Sequence, residues 1–158
     1  MRKCPLVGPP VALLNSVGDI EFQQARWGRH LTASGDMRVL LVEDTDDLRE
    51  TYAQLLQFAG CEVQTAPCGY KALERLGSFA PELVLTDYMM PRMDGIELIR
   101  RLRQIPNLAP VPMVIVTANG ADDVARDARA AGAADVVIKP MDIIGLVERC
   151  QRGEFSVA

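Results

Sequence analysis

Five polar side chains stand where short apolar runs stop: Glu43 and Asp44 after Val39–Val42, Asp87 just past Leu83–Leu85, Thr117 after Met113–Val116, and Lys139 after Val136–Ile138. For any one of them a solvated loop residue would be explanation enough, but the set is harder to dismiss. Three carboxylates converging within several ångströms repel one another, each close pair by up to about 4 kcal/mol at an effective dielectric of 20. A cation must therefore sit among them. Oxygen donors on a rigid edge with room for water suit a hard divalent ion such as Mg²⁺, and Lys139 can add a positive charge from the far side. Without metal, like-charge repulsion should raise the pKa of one carboxyl. A metal, an ammonium, a hydroxyl and an exposed carboxylate together make a phosphoryl-transfer site, with Asp87 as the nucleophile that ends as an acyl phosphate. The new oxygens, carrying about −1.5 to −2 charges, would need donors, which the Thr117 hydroxyl and nearby backbone N–H groups can supply.

Such convergence requires elements whose ends meet. From Arg38 onward, short apolar runs alternate with longer amphipathic ones. The runs already named read as strands covered on both faces, and Glu62–Thr65 as a weaker strand. Leu48, Tyr52, Leu55, Leu56 and Ala59 fall on one face of a first helix, which Gly60 stops. Ala72, Leu73 and Leu76 mark a second helix, and Ile96, Ile99 and Leu102 a third. Val124, Ala128 and Ala131 mark a fourth, lined with Ala125, Ala128, Ala130 and Ala131, and Ile143, Ile144 and Val147 a short fifth. Strict alternation with short connections implies a parallel sheet between helices joined by right-handed crossovers, a doubly wound α/β fold. In such sheets ligands bind outside the carboxyl ends of the strands, which is where the polar residues stand.

The rest of the chain sets limits. Its 158 residues, 49% hydrophobic and 24% charged, suffice for one sizeable core and leave little room for a second. Residues 1–36, punctuated by Gly8, Pro9, Pro10, Gly18, Gly28 and Gly35, keep no lasting period and are expected to form a loosely ordered arm. Met37 is an alternative start, so the arm is either an artefact of the assigned start or a docking segment using Phe22 and Trp27. A net charge of −4 offers no basic field to hold a nucleic-acid backbone. Pro9 and Pro10 interrupt the weakly apolar Leu6–Leu14, no cleavage signal follows, and no run approaches the roughly 18 apolar residues of a membrane span. A cytoplasmic protein is expected. Cys4, Cys61, Cys68 and Cys150 form no CxxC pair and His30 is the only histidine, so no zinc site can be assembled. Cys61 and Cys150 are expected as reduced, packed thiols.

Four ordered motifs resemble the receiver domain of bacterial two-component response regulators over about Met37–Arg152. They are VLLVEDTDDLRE after the first strand, LVLTDYMMPRMDGIELIRRLR around Asp87, PMVIVTANG around Thr117, and GAADVVIKP ending at Lys139 and Pro140. The resemblance implies a flavodoxin-like sheet of five parallel strands in the order 2-1-3-4-5, with five helices and residues 153–158 as a tail. It implies that Asp87 is the phosphoacceptor, Glu43 and Asp44 the acidic pair, Thr117 the hydroxyl switch and Lys139 the phosphate-contacting lysine. Asp44, Asp87 and the backbone carbonyl of Met89 would bind Mg²⁺ directly and Glu43 through water. The Lys139–Pro140 bond would be cis, Pro91 and Gly95 would shape the loop after Asp87, and Met89 and Asn119 would flank the phosphate.

Two residues depart from the family pattern. Val136 stands where an aromatic residue usually rotates inward, which leaves more of the switching to the fourth helix and the loop before it. Gly145 interrupts the short fifth helix at a cost of about 1 kcal/mol relative to alanine. Only Gln151–Ala158 follow that helix, so the expected output is docking on another protein rather than an attached effector domain. The implied partners are a sensor histidine kinase or histidine phosphotransfer protein upstream and a protein target downstream, with a relay shuttle as a close variant. The chain would assist its own phosphorylation and dephosphorylation without being a conventional enzyme. A binding-only pseudo-receiver would normally lack one of these residues, and none is missing. A flavin carrier of the same topology is disfavoured by the repulsive Asp44, Asp46 and Asp47, and an aspartyl-nucleophile phosphatase by Met89, where a second aspartate would be needed.

Overall fold

The computed structural model describes residues 36–155. Residues 1–35 of the expected 1–36 arm, with the proposed docking pair Phe22 and Trp27, Cys4 and His30, lie outside the described residues. Strands β1 (Met37–Val42), β2 (Cys61–Ala66), β3 (Leu83–Asp87), β4 (Met113–Thr117) and β5 (Asp135–Ile138) form one sheet in the order β2-β1-β3-β4-β5. Every neighbouring pair is parallel. Helices α1 (Asp46–Phe58), α2 (Gly69–Arg75), α3 (Gly95–Arg103), α4 (Asp122–Ala131) and α5 (Ile143–Gln151) alternate with the strands, and a 3₁₀ turn, Pro106–Leu108, precedes β4. This is the expected flavodoxin-like fold. Each strand lies within two residues of the apolar run that marked it.

Side-chain alternation along the strands divides the core into two layers. Leu40, Val42, Val84, Met113 and Ile115 point to one side, where they meet Ala72 of α2, Ile96, Ile99 and Leu102 of α3, and Ala128 of α4. Val39, Leu41, Leu83, Leu85, Val114 and Val116 point to the other, against Tyr52 and Leu56 of α1 and Ile143, Leu146 and Val147 of α5. Because helices cover both sides, β3 and β4 are buried along their whole length, which is why they read as unbroken apolar runs.

Three details differ from the sequence reading. Tyr52 and Leu56 face the sheet, but Leu48 and Leu55 are 36% and 43% exposed. Leu55 precedes Leu56 and so lies about 100° around the helix from it; the apolar arc of α1 is wider than the face the sheet can cover. Ala130 is exposed, and the lining of α4 reduces to buried Ala128 and Ala131 with Ala125 half-buried. Gly145 lies in the first turn of α5, where its N–H donates to the Asp142 carboxylate at 3.0 Å. A Cβ there would lie 2.3 Å from the other Asp142 oxygen, so the glycine makes room for the cap.

Packing continues past α5. Gly153 turns the chain back at φ 68°, and Phe155, 8% exposed, joins the α1/α5 layer. Arg149 lies 4.6 Å from the Phe155 ring centre and pairs with Asp135 of β5 at 2.9 Å. Cys61, Cys68 and Cys150 are free thiols. Burial, helped by the nearby Cys150 and Asp36, pushes the Cys61 thiol up to about 11, and burial also raises that of Cys150. Among the described residues no helix is long and apolar enough to cross a membrane.

Candidate functional site

The strand ladders carry the polar residues to one rim. Pairing runs one residue past three strand ends: Glu43 N–H donates to Ala66 O (3.1 Å), Tyr88 N–H to Val116 O (2.9 Å) and Lys139 N–H to Thr117 O (2.8 Å). Asp87 is in register with Val116, and Thr117 with Ile138. Adjacent parallel strands lie about 4.8 Å apart, so residues ending β1, β3, β4 and β5 are neighbours by construction.

The turn after Asp87 is equally determined. The buried Thr86 hydroxyl donates to Asp87 O at 3.1 Å, and Gly95 N–H, the first of α3, donates to Tyr88 O at 2.9 Å. A Cβ on Gly95 would lie 2.4 Å from Asp87 O and 3.2 Å from Tyr88 Cα. Only glycine lets the helix start this close to the backbone of Asp87. Asp94 caps the helix by accepting from Glu97 N–H at 2.8 Å.

Glu43, Asp44 and Asp87 each bring a carboxylate oxygen within 4.8 Å of the others. Lys139 reaches into the group, its Nζ 2.7 Å from Glu43 Oε2 and 2.9 Å from Asp87 Oδ1. Glu43 and Asp87 are 2% and 7% exposed, whereas Asp44 is exposed and opens the cluster to solvent. Burial raises the Asp87 pKa; the hydrogen bond from Lys139 opposes this, and the Glu43 and Asp44 charges add to it. Burial alone would lower the Lys139 pKa, but its hydrogen bonds to Glu43 and Asp87 and their charges outweigh it, so it is raised. An exclusively oxygen donor set with one side open to water fits a hard, partly hydrated divalent cation. The three carboxylates could hold such an ion.

The Thr117 hydroxyl, 2% exposed as a residue, is engaged with its own loop: it donates to Asn119 O at 3.1 Å and accepts from Asn119 N–H at 3.2 Å. Met89, two residues after Asp87, is 70% exposed. The Lys139–Pro140 bond is cis. Val136 is half-buried and packs against the apolar layer shared with α3 and α4. Sequence reasoning missed three contacts of Glu43. Its side-chain oxygens are taken by Thr45 N–H (3.2 Å) and Lys139, and its carbonyl accepts from the Arg49 guanidinium at 2.9 Å. Neither Arg49 nor a Glu43–Lys139 pair leaves a mark in local sequence pattern.

Comparison with known proteins joins this geometry to a family. Residues 39–151 match the response regulator receiver domain. The chain is 34% identical over 116 residues to an uncharacterized 14.6 kDa protein of Leptolyngbya boryana, a match covering 73% of this chain and 88% of that one. It is 37% identical over 112 residues to the phosphate regulon transcriptional regulatory protein PhoB of Rhizobium meliloti, covering 71% of this chain and 49% of PhoB. The chain thus spans about half the length of several of its relatives. The structure superposes on the Vibrio cholerae chemotaxis protein CheY4 with a TM-score of 0.70 at 28% identity, over 75% of this chain and 98% of that one. Strand order, the acidic rim facing a lysine, and the extent of the sequence match together mean that this chain belongs to the response regulator receiver domain family.

Proposed function

We propose that the unit from Met37 to Arg152 is a stand-alone phosphoacceptor that takes a phosphoryl group on Asp87, with Mg²⁺, from a sensor histidine kinase or a histidine phosphotransfer protein in the cytoplasm. Its output is docking on a protein target. The observation that carries this reading is the setting of Asp87: a nearly buried carboxylate bonded to Lys139 and grouped with two more carboxylates. In the transfer, the phosphorus–nitrogen bond of the donor phosphohistidine breaks as a bond forms from phosphorus to an Asp87 oxygen, and the imidazole leaves.

Asp44, Asp87 and the Met89 carbonyl would hold the metal, with Glu43 acting through water. Mg²⁺, when bound, would neutralise charge on the transferring oxygens. Lys139 already touches Asp87 and would keep its ammonium on the phosphoryl group. To donate to a phosphoryl oxygen, Thr117 must turn its hydroxyl hydrogen away from Asn119 O, which would loosen the loop leading to α4. The arrangement would signal by favouring one of two loop and helix positions.

Incubation of the full chain with acetyl phosphate and Mg²⁺ tests the reading. Wild type should acquire one hydroxylamine-labile phosphoryl group, and Asp87→Ala should acquire none. Labelling that persists in Asp87→Ala, or never occurs in wild type, would overturn it.

A further inference from the structure

The β1–α1 connection consists of Glu43, Asp44 and Thr45, so two of the three clustered carboxylates ride on a three-residue link. The usual device for fixing such a link is weak here, since Thr45 at the N-cap of α1 makes no side-chain cap. Arg49, in the first turn of α1, does the holding instead. Its Nη1 donates to Glu43 O at 2.9 Å, its Nη2 pairs with the Asp46 carboxylate, and its own N–H donates to Thr45 O at 2.9 Å. The Arg49 side chain is only 19% exposed while its partner Asp46 is 85% exposed. The guanidinium is therefore folded down over the link. This is more than a surface ion pair, which would be worth little: a planar fork bridges the strand-side carbonyl and the helix-side carboxylate at once.

The Asp44 carboxylate is exposed, and its place in the cluster follows from the backbone that Arg49 pins. We propose that Arg49 is a positioning residue for the acidic pair, setting divalent-cation affinity by fixing the Glu43–Asp44 backbone without touching the ion or the phosphoryl group. The proposal rests on the reading of Glu43, Asp44 and Asp87 as the cation site. Groups that orient metal ligands typically govern affinity by about 10- to 100-fold. The lower end is expected here, because Arg49 acts on backbone rather than on a ligand atom. Lysine keeps the charge and can reach these acceptors but lacks the planar fork that holds both in one fixed geometry, so Arg49→Lys should fall between wild type and Arg49→Gln.

Calorimetric titration of the full chain with MgCl₂ alone, alongside urea unfolding of the metal-free protein, tests the proposal. Arg49→Gln should raise the Mg²⁺ dissociation constant by about tenfold and Arg49→Lys by less. With acetyl phosphate, the Mg²⁺ concentration for half-maximal labelling should rise in step while the rate at saturating Mg²⁺ stays near that of wild type. An unchanged Mg²⁺ affinity with a lowered unfolding midpoint would show a purely structural arginine and overturn the proposal. So would a reduced plateau rate at an unchanged Mg²⁺ requirement. Should Arg49→Gln fail to fold, Arg49→Lys decides alone, and wild-type affinity in that variant overturns the proposal. If wild type itself binds no Mg²⁺ or is not labelled on Asp87, the phosphoacceptor reading fails and the proposal with it. If wild type does both and the Arg49 variants bind equally well, only the proposal falls.

Discussion

Helices α3 and α4 cover the same side of the sheet and have 9 and 10 residues, yet they are held in different ways. α3 buries Ile96, Leu98, Ile99 and Leu102 and starts from the Asp94 cap. α4 buries only Ala128 and Ala131 and starts at Ala121 with no side-chain cap. Each large aliphatic side chain taken out of water contributes about 1.5–3 kcal/mol, so α3 is anchored far more strongly. The helix that follows Asp87 is thus the more firmly held, and the one that follows Thr117 the less. Under the proposed function, presenting the Asp87 carboxylate would benefit from the first, and a response to a new phosphate from the second.

The looseness of α4 has one limit. Its C-cap, Gly132 at φ 103°, is fastened to α3 by Arg103, whose Nε and Nη2 donate to Gly132 O at 3.1 and 2.8 Å. The Nη1 of the same arginine donates to Leu108, Ala109 and Val111 carbonyls at 2.9, 3.0 and 2.9 Å. Burial lowers the pKa of this guanidinium, but it remains charged. α4 is thus tied down at the end remote from Thr117 and free at the end beside it.

Four substitutions would break or sharpen this contrast. Gly95→Ala has the largest expected effect: its Cβ would meet the Asp87 carbonyl, and shifting α3 off that backbone should cost about 3 kcal/mol in urea unfolding and slow labelling of Asp87. Arg103→Ala should cost about 2 kcal/mol, mostly from carbonyls left without a donor, and hydrogen exchange should accelerate around Gly132 more than at the start of α3. The smallest change is a mirrored pair at the two N-caps. Asp94→Ala should lose about 1 kcal/mol, while Ala121→Ser should gain about 0.5–1 kcal/mol. If α4 is the responsive helix, Ala121→Ser should also slow exchange at its N-terminal end and shrink the exchange difference between phosphorylated and unphosphorylated protein. Equal exchange rates at both helix starts in wild type would refute the contrast.

β1, β3 and β4 and their polar ends were legible because a strand covered on both sides must be apolar throughout, so termination in Glu43, Asp87 or Thr117 is a visible break; β5, read the same way, is instead a half-buried edge strand whose Ile138 is 54% exposed. α3 was legible through Ile96, Ile99 and Leu102. The orientation of α1 was not, because five apolar positions spread over a wider arc than the sheet can cover, and only contact with the sheet selects Tyr52 and Leu56 over Leu48 and Leu55. Arg49 and Arg103 were invisible for another reason. Their partners include backbone carbonyls, which every residue carries, so nothing in the partner's side chain announces the bond. The Glu43–Lys139 pair spans 96 positions of sequence and is found only once the sheet has closed.

The fold of the chain back onto Phe155 has a mechanical consequence. Its ring lies under Arg149, and Arg149 pairs with Asp135 at the root of β5, so residues 153–155 form a handle packed onto the domain. Trimming the chain after Arg152 would strip off that handle and expose greasy surface beneath it. Left intact, it would give a tug on β5 a direct route to Phe155.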